Sequence, residues 1–217
     1  MDYLQSKRLN GSRKSNSPFS EFRDRPGFLQ NRGTLPCNSP RIVIRRVTNR
    51  TNQRTVIVAL IPAHVFVADQ ASCLLWPRGD EKDAAFLLGV LSSIPLDWYA
   101  RRFVETDVRL HIINPLPIPR VDRSNPLWER CHLLAGRLAA PDDRFAEWAE
   151  AVGVECGPLP DAQKKDHIHE LDAVVAHLYG LKEKHLVHIF ETFHEGWDYR
   201  ERLKETLKHF RNWKGNA

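Results

Sequence analysis

The chain carries at positions 41–61 the sequence RIVIRRVTNRTNQRTVIVALI, and this stretch decides the expected fold. Two runs rich in β-branched residues flank a polar centre of Thr, Asn and Gln, which is the pattern of two strands joined by a turn. The first run alternates apolar residues with arginine, whereas Thr55–Leu60 is almost continuously apolar. We therefore expect a half-exposed strand, a turn at Thr48–Asn52 and then a buried strand.

The same hairpin is strongly cationic, with five arginines and no acid between residues 41 and 60. Residues 1–60 hold twelve Lys and Arg against three Asp and Glu, a formal charge of +9, so the rest of the chain is at −4 because the total is +5. Clustered cations create a field that attracts a polyanion, and nucleic acid is the expected partner. The alternative is that the charges form the solvated face of a strand.

Guanidinium and amide groups can bond both to phosphates and to base edges. Seven side chains of the hairpin are therefore candidates for contact with double-stranded DNA: Arg45, Arg46, Asn49, Arg50, Asn52, Gln53 and Arg54. The same groups at a turn can instead satisfy backbone carbonyls. Arg54 borders the buried strand, and we expect it to be the residue that could brace the turn.

Length and composition indicate a globular protein. A chain of 217 residues with 42% hydrophobic content can bury a core in one domain or two small ones. Its apolar runs end well before the roughly 18 residues of a membrane span. The four cysteines are isolated, without a Cys-x-x-Cys pair, which disfavours a disulfide framework or a zinc ribbon and indicates reduced thiols in the cytoplasm.

Residues 1–40 are rich in Gly, Ser, Pro and basic residues without an apolar period, and we expect a basic, disordered tail. Short apolar runs at 64–68 and 72–76 predict two more strands and hence a four-stranded sheet. Alternation at 108–112 predicts a further strand before the proline-rich exit at 115–119. Residues 41–120 are thus expected to form an α/β domain that carries the cationic hairpin.

Helical signals begin at Asp80, which has the chemistry of an N-cap, and Pro95 must kink or divide the helix that follows. Gly180 stands where a C-cap glycine belongs. From residue 124 onward the apolar period is helical, over 124–140, 142–152, 161–179, 182–193 and 198–213. The predicted class is α/β (α+β): a small β-sheet domain with a packed, kinked helix, followed by an all-helical unit at 121–217.

Six motifs occur in an ordered series: RIVIR at 41–45, TNQRT at 51–55, IP at 61–62, FLLGVLSS at 86–93, LPIP at 116–119 and LDAVVAHLYGL at 171–181. Their order and spacing resemble the C-terminal target-recognition region of type IIG restriction-modification enzymes. These are adenine-specific DNA methyltransferases with a TaqI-like specificity domain, and they include the large methylases of phage-exclusion systems. The resemblance covers residues 41–213.

This resemblance implies a region that grips duplex DNA and reads its sequence. In the family a separate upstream domain binds S-adenosylmethionine and methylates a flipped adenine, and Mg²⁺ serves the endonuclease. The Asn-Pro-Pro-Tyr type of motif is missing here, because Asn114-Pro115-Leu116 and Asn125-Pro126-Leu127 lack the second proline and the aromatic ring. We therefore expect no catalysis and no cofactor in this chain, as the specificity end of a longer protein or of a truncated gene.

Two other kinds of site are disfavoured. A nuclease of the Pro-Asp…Asp/Glu-x-Lys type would need Asp80-Glu81-Lys82 as its metal-binding element, but this triplet is better explained as a helix start. A structural zinc site is disfavoured by the spacing of the helical histidines, which we expect at the surface: His167, His169, His185 and His188.

Two further interpretations remain open. Trp98, Tyr99 and Phe103 could stack on bases, although core packing is favoured for such large rings. A second hypothesis for the whole chain is a protein-interaction module, in which the helices of 124–213 dock a catalytic methyltransferase partner and the basic hairpin serves that contact.

Overall fold

The computed structural model describes residues 36–49, 51–74, 79–194 and 196–213, and within them it confirms the predicted α+β class. A three-stranded antiparallel sheet has the order β2-β1-β3. Its strands are β1 (Arg41–Arg45), β2 (Val58–Ile61) and β3 (Ala71–Cys73). Within those ranges the α-helices are α1 (Glu81–Leu91), α2 (Ile94–Ala100), α3 (Leu110–Ile113), α4 (Pro126–Ala139), α5 (Ala146–Val152), α6 (Asp161–Leu178), α7 (Glu183–Glu191) and α8 (Arg200–Trp213). Short 3₁₀ turns occur at Pro36–Asn38 and Asp143–Phe145.

The exposure of the first two strands is the reverse of the prediction. In β1 only Arg45 is exposed, whereas β2 exposes Ala59. The reason is topological, because β1 is paired on both sides and β2 lies at the sheet edge. Ile42 and Ile44 lie on one face of β1, as the two-residue period requires, and both are fully buried.

The turn predicted at Thr48–Asn52 is present, since Asn52 N donates to Asn49 O, and it is part of a longer loop, residues 46–57. The β1–β2 ladder closes where Arg45 N donates to Ile57 O at 2.9 Å. Two further strand predictions were wrong, and the sheet has three strands in the described residues instead of the predicted four. Residues 64–68 are irregular, and β3 occupies the sheet edge that they would need. Residues 110–113 form α3 and not a strand. Val108 and Ile113, five positions apart, belong to one buried cluster with Ile44, and this packing does not follow the two-residue period of a strand.

The predicted local signals for helices are confirmed. Asp80 caps α1 in a capping box with Asp83. Pro95 divides the predicted helix, since Ser93 caps α2 and the proline occupies its first turn, where no N–H is needed. Gly180 adopts φ +63° after α6, and the N–H groups of residues 180 and 181 bond back to the last turn.

The apolar core joins the sheet to the helices. One cluster combines residues of α1, α4 and α6 with Val56 from the 46–57 loop: Phe86, Val90, Cys131, Leu134, Leu171 and Val174 belong to it. This core crosses residue 120, where the sequence suggested a boundary between two units. The division into 41–120 and 121–217 therefore stays a prediction about folding units. Of the predicted tail, residues 1–35 lie outside the described part of the chain.

Gly89 lies where α1 packs tightly on α4. A Cβ added there would lie 2.9 Å from Cys131 Sγ and 3.0 Å from Ala135 Cβ. We expect Gly89→Ala to lower the free energy of unfolding by about 1 kcal/mol, because overpacking costs roughly 1–3 kcal/mol and the gain in helix propensity offsets about 1 kcal/mol. Urea unfolding measures the change. In a Cys131→Ala background the loss should shrink, and strictly additive effects would contradict this packing.

Candidate nucleic-acid interface

The loop 46–57 is fastened to the protein by one buried carboxylate. Asp97, in the first turn of α2, is fully buried. Its Oδ2 accepts from Arg54 Nε at 2.6 Å and from Thr55 N at 3.0 Å, and its Oδ1 accepts from Val56 N at 3.2 Å. Arg54 Nη2 also donates to Ser93 O at 3.0 Å. Arg54 thus braces the loop, as the sequence had suggested it could.

A second arginine connects the loop to the C-terminal helices. Arg101 Nη1 donates to Phe193 O at 2.7 Å and its Nη2 to Gln53 O at 3.4 Å, while Tyr199 Oη donates to the same carbonyl at 3.0 Å. Burial lowers the pKa of Arg101 although Asp97 opposes this, and burial raises the pKa of Tyr199. The loop therefore rests on α2 and on the segment before α8 at once.

Two of the predicted contact residues organise the loop itself. Asn49 Oδ1 accepts from Thr51 N at 3.0 Å, Thr51 Oγ1 at 2.6 Å and Asn52 N at 3.0 Å, which is the pattern of an Asx turn. Asn52 Nδ2 donates to Thr48 Oγ1 at 3.0 Å. Both amides are engaged in shaping the turn.

The remaining predicted residues differ in what holds them. Arg45 is exposed at the end of β1. Arg46 forms an ion pair with the exposed Asp69. Gln53 is exposed, and in the described part of the chain its hydrogen bonds are made by its backbone carbonyl. Arg50 lies outside the described residues. The structure thus brings the described members of the predicted set onto one loop and strand end.

A second feature was not expected from the sequence. Tyr99 and Phe103 are exposed by 39% and 56%, so core packing was the wrong interpretation for both. With residues of α3 and the following loop they line a groove of about 390 Å³, here called the aromatic groove: Tyr99, Phe103, His111, Ile112, Pro115 and Leu116. Trp98 is half-buried, and the Arg102 guanidinium lies 3.7 Å from the centre of its ring.

The aromatic groove is joined to the loop by backbone hydrogen bonds. Thr48 N donates to Thr106 O at 3.0 Å, and Val108 N donates to Arg46 O at 2.8 Å. Val47 and Asp107 form an isolated antiparallel bridge between these bonds. The segment between Phe103 and His111 is therefore a neighbour of the cationic loop, a long-range pairing that no local pattern signals.

Most of the groups considered as metal ligands have structural surroundings. His185 Nδ1 accepts from Lys182 N at 3.1 Å, and His188 O accepts from Thr192 Oγ1 at 2.6 Å. His185 and His188 are exposed as predicted, whereas His167 and His169 are half-buried, and this burial lowers their pKa. Within the described residues no group of three or more His, Cys, Asp or Glu could hold a metal ion.

The nuclease-like triplet is a helix start, as its spacing suggested. Asp80 Oδ1 accepts from Lys82 N and Asp83 N, both at 3.1 Å, and Arg123 pairs with Asp80 and Asp83. Both carboxylates are thus committed to the beginning of α1 and to a surface ion pair.

No family model matches the chain, and neither a curated protein nor a solved structure matches it significantly. The helices in the described ranges are all too short or too polar to cross a membrane.

Asp97→Asn should lower the free energy of unfolding by about 3 kcal/mol, because it leaves Arg54 and Arg101 without their buried counter-charge. Chemical denaturation measures this loss. Asp69→Asn is the matched control, since it breaks the Arg46 ion pair at a side chain that is 80% exposed. That change should cost at most about 1 kcal/mol. Similar losses in the two variants would show that Asp97 does not fasten the loop.

Proposed function

We propose that the chain is a recognition module for double-stranded DNA that supplies target sequence to a separate adenine methyltransferase and performs no chemistry of its own. The observation that carries the proposal is the fastened loop 46–57. It presents an acid-free, arginine-rich sequence on a loop whose turn is held by Asn49 and whose end is fastened by Asp97. The resemblance to type IIG target-recognition regions supports the same function.

Fixed geometry favours recognition because ordering a loop on binding costs free energy. Each side chain that is already held removes part of the roughly 0.5–1.5 kcal/mol that immobilising it would cost. Here Asn49 and Asn52 hold the turn, and Gln53 O accepts two hydrogen bonds from the body of the protein. Groups of the loop that point outward are thus pre-positioned for a ligand.

The charge of the loop suits a polyanion. Of the described arginines between 41 and 54, Arg46 and Arg54 face acids, whereas Arg45 is exposed at the strand end and has no ion pair among the described residues. Arg102 is likewise exposed, with its guanidinium over the Trp98 ring. Such cations bind phosphates by releasing counterions, which produces affinity without sequence information.

The Asn-Pro sequences that could resemble a methyltransferase motif also support a module without chemistry. Asn125 is the N-cap of α4, and its Oδ1 accepts from Leu127 N at 2.8 Å. Asn114 is exposed after α3 and beside the aromatic groove. Catalysis and the S-adenosylmethionine and Mg²⁺ that it requires are assigned in this proposal to the partner domain or subunit.

A second candidate function is docking of a protein partner through the helices of 124–213. It is favoured by an open cleft of about 560 Å³ beside Trp197, whose side chain is 49% exposed. Aromatic side chains of this kind are enriched at protein interfaces. The two candidates are separable, since only the first requires the arginines of the loop.

Affinity for duplex DNA should fall steeply as salt is raised. In a plot of log affinity against log salt concentration, each neutralised phosphate should contribute about −0.9 to the slope. Arg45→Ala should reduce this slope by about 1 without changing the unfolding midpoint, because the Arg45 side chain is exposed and makes no hydrogen bond or ion pair with another described residue. Fluorescence anisotropy over a salt series measures both slopes. Arg144→Ala is the control, because Arg144 is equally an exposed arginine but is paired with Asp142. A slope that is shallow, or is changed equally by both variants, would contradict the proposal.

Sequence discrimination should depend on Gln53 and Arg50. When the domain is attached to a catalytic partner, replacing both by alanine should relax the methylated sequence, since each good bidentate contact to a base gives about 1–3 kcal/mol of discrimination. Genome-wide mapping of methylated sites measures the change. Arg54→Ala is the contrasting variant and should lower stability instead. An unchanged recognition sequence with uniformly weaker methylation would mean that Gln53 and Arg50 bind only phosphate or sugar.

A further inference from the structure

We propose that the aromatic groove binds an unpaired nucleobase, and that it does so as part of the same surface as the cationic loop. The inference deepens the proposed DNA-binding function and rests on it. Its ligand is a flipped or unpaired base of the bound DNA, which stacks on Tyr99 and Phe103.

The geometry of the rings favours a planar ligand. Tyr99 and Phe103 lie one helical turn apart, with ring centres 5.2 Å from each other and planes tilted by 58°. Both rings are exposed, so each retains surface that can stack on another π-system. His111 and Pro115 also line the groove. Aromatic side chains stack on bases with little regard to sequence, because every base has a π-face.

The position of the groove selects a nucleic acid over an apolar peptide. The segment that joins Phe103 to His111 is hydrogen-bonded to residues 46 and 48. These residues follow the exposed Arg45 in the chain. Arg102 lies between Tyr99 and Phe103 in sequence and is exposed. A DNA strand whose phosphates bind Arg45 would bring its bases near the segment between Phe103 and His111 and the rings beside it, whereas the Arg102 guanidinium lies over the Trp98 ring.

Only a base that has left the stack of the duplex can enter the groove. Within a duplex both faces of a base are covered by its neighbours in the stack, so the rings can be reached only by a base that has left it. An extruded base loses those stacking contacts, and Tyr99 and Phe103 would replace part of them. The groove should therefore distinguish DNA containing an unpaired base from fully paired DNA.

The test uses the full chain and two DNA probes, a perfect duplex and the same duplex with a single unpaired 2-aminopurine, whose fluorescence is quenched by stacking. We expect the second probe to bind more tightly and to be quenched further when the protein binds. Tyr99→Leu and Phe103→Leu preserve apolar bulk but remove the π-face. Each should lower affinity for the unpaired probe roughly tenfold and abolish the added quenching, with duplex affinity unchanged.

Two control variants sharpen the result. Phe66→Leu removes an aromatic ring that is 61% exposed on the β2–β3 loop, and it should leave both probes unaffected. Glu105→Gln removes an exposed acid next to Phe103 and Arg102, and it should tighten binding of both probes because the ligand is a polyanion. Thermal unfolding of each variant identifies any loss of fold.

The outcomes separate this inference from the proposed function. If the duplex binds in an Arg45-dependent way and the Tyr99 and Phe103 variants bind the unpaired probe as tightly as the unaltered chain, the groove does not hold a base. If the unpaired probe binds through Tyr99 and Phe103 but the duplex does not bind, duplex recognition is wrong and the groove stands. Failure to bind either probe overturns both.

Discussion

The arrangement of the loop 46–57 depends on the buried carboxylate of Asp97. A buried charge is tolerated only when it is paired and hydrogen-bonded, and here the partners are Arg54 and the N–H groups of residues 55 and 56. Because those donors belong to the loop, satisfying the carboxylate and folding the loop are the same event. Without it, the loop between β1 and β2 would have to be ordered against its own conformational entropy by contacts at the surface.

A second buried carboxylate fixes the helix that carries Asp97. Asp172 on α6 accepts from Ile94 N at 2.8 Å, and its other oxygen accepts from Arg202 Nε on α8 at 2.8 Å. A carboxylate at a helix N-terminus is favourable because it satisfies an unpaired N–H and faces the positive end of the dipole. These bonds fix the position of α2 relative to the helical core. The loop and the rings of Tyr99 and Phe103 are positioned with it.

Local sequence signals predicted much of the fold. Contacts between residues that are distant in sequence could not be predicted from those signals. Asp80, Pro95 and Gly180 act within their own turns, so their roles could be inferred from neighbouring residues. The number of strands and the central position of β1 depend on which segments meet, and a two-residue apolar alternation cannot decide that. Residues 108–113 illustrate the failure, since packing around Ile44 outweighed their alternation.

The same distinction applies to the candidate site. The arginines and amides of the loop were identified from composition, and the bracing role of Arg54 followed from its place beside an apolar run. Asp97 was not identified, because its partner lies 43 positions away and a lone aspartate in a helix carries no signal. Tyr99 and Phe103 were assigned to the core because large aromatic rings usually lie there, and only the tertiary placement of α2 exposes them.

Structural use of Asn49 and Asn52 changes which groups are available for reading bases. The turn uses Asn49 Oδ1 and Asn52 Nδ2, so only the other end of each amide, Asn49 Nδ2 and Asn52 Oδ1, can contact DNA without giving up a turn bond. In the proposed function, base readout at the loop would then depend most on Gln53, whose exposed side chain has no hydrogen bond among the described residues. Two roles are thus divided between neighbouring residues. Asn52 helps to fix the backbone of the turn, and Gln53 presents an exposed amide at a position that the turn has determined.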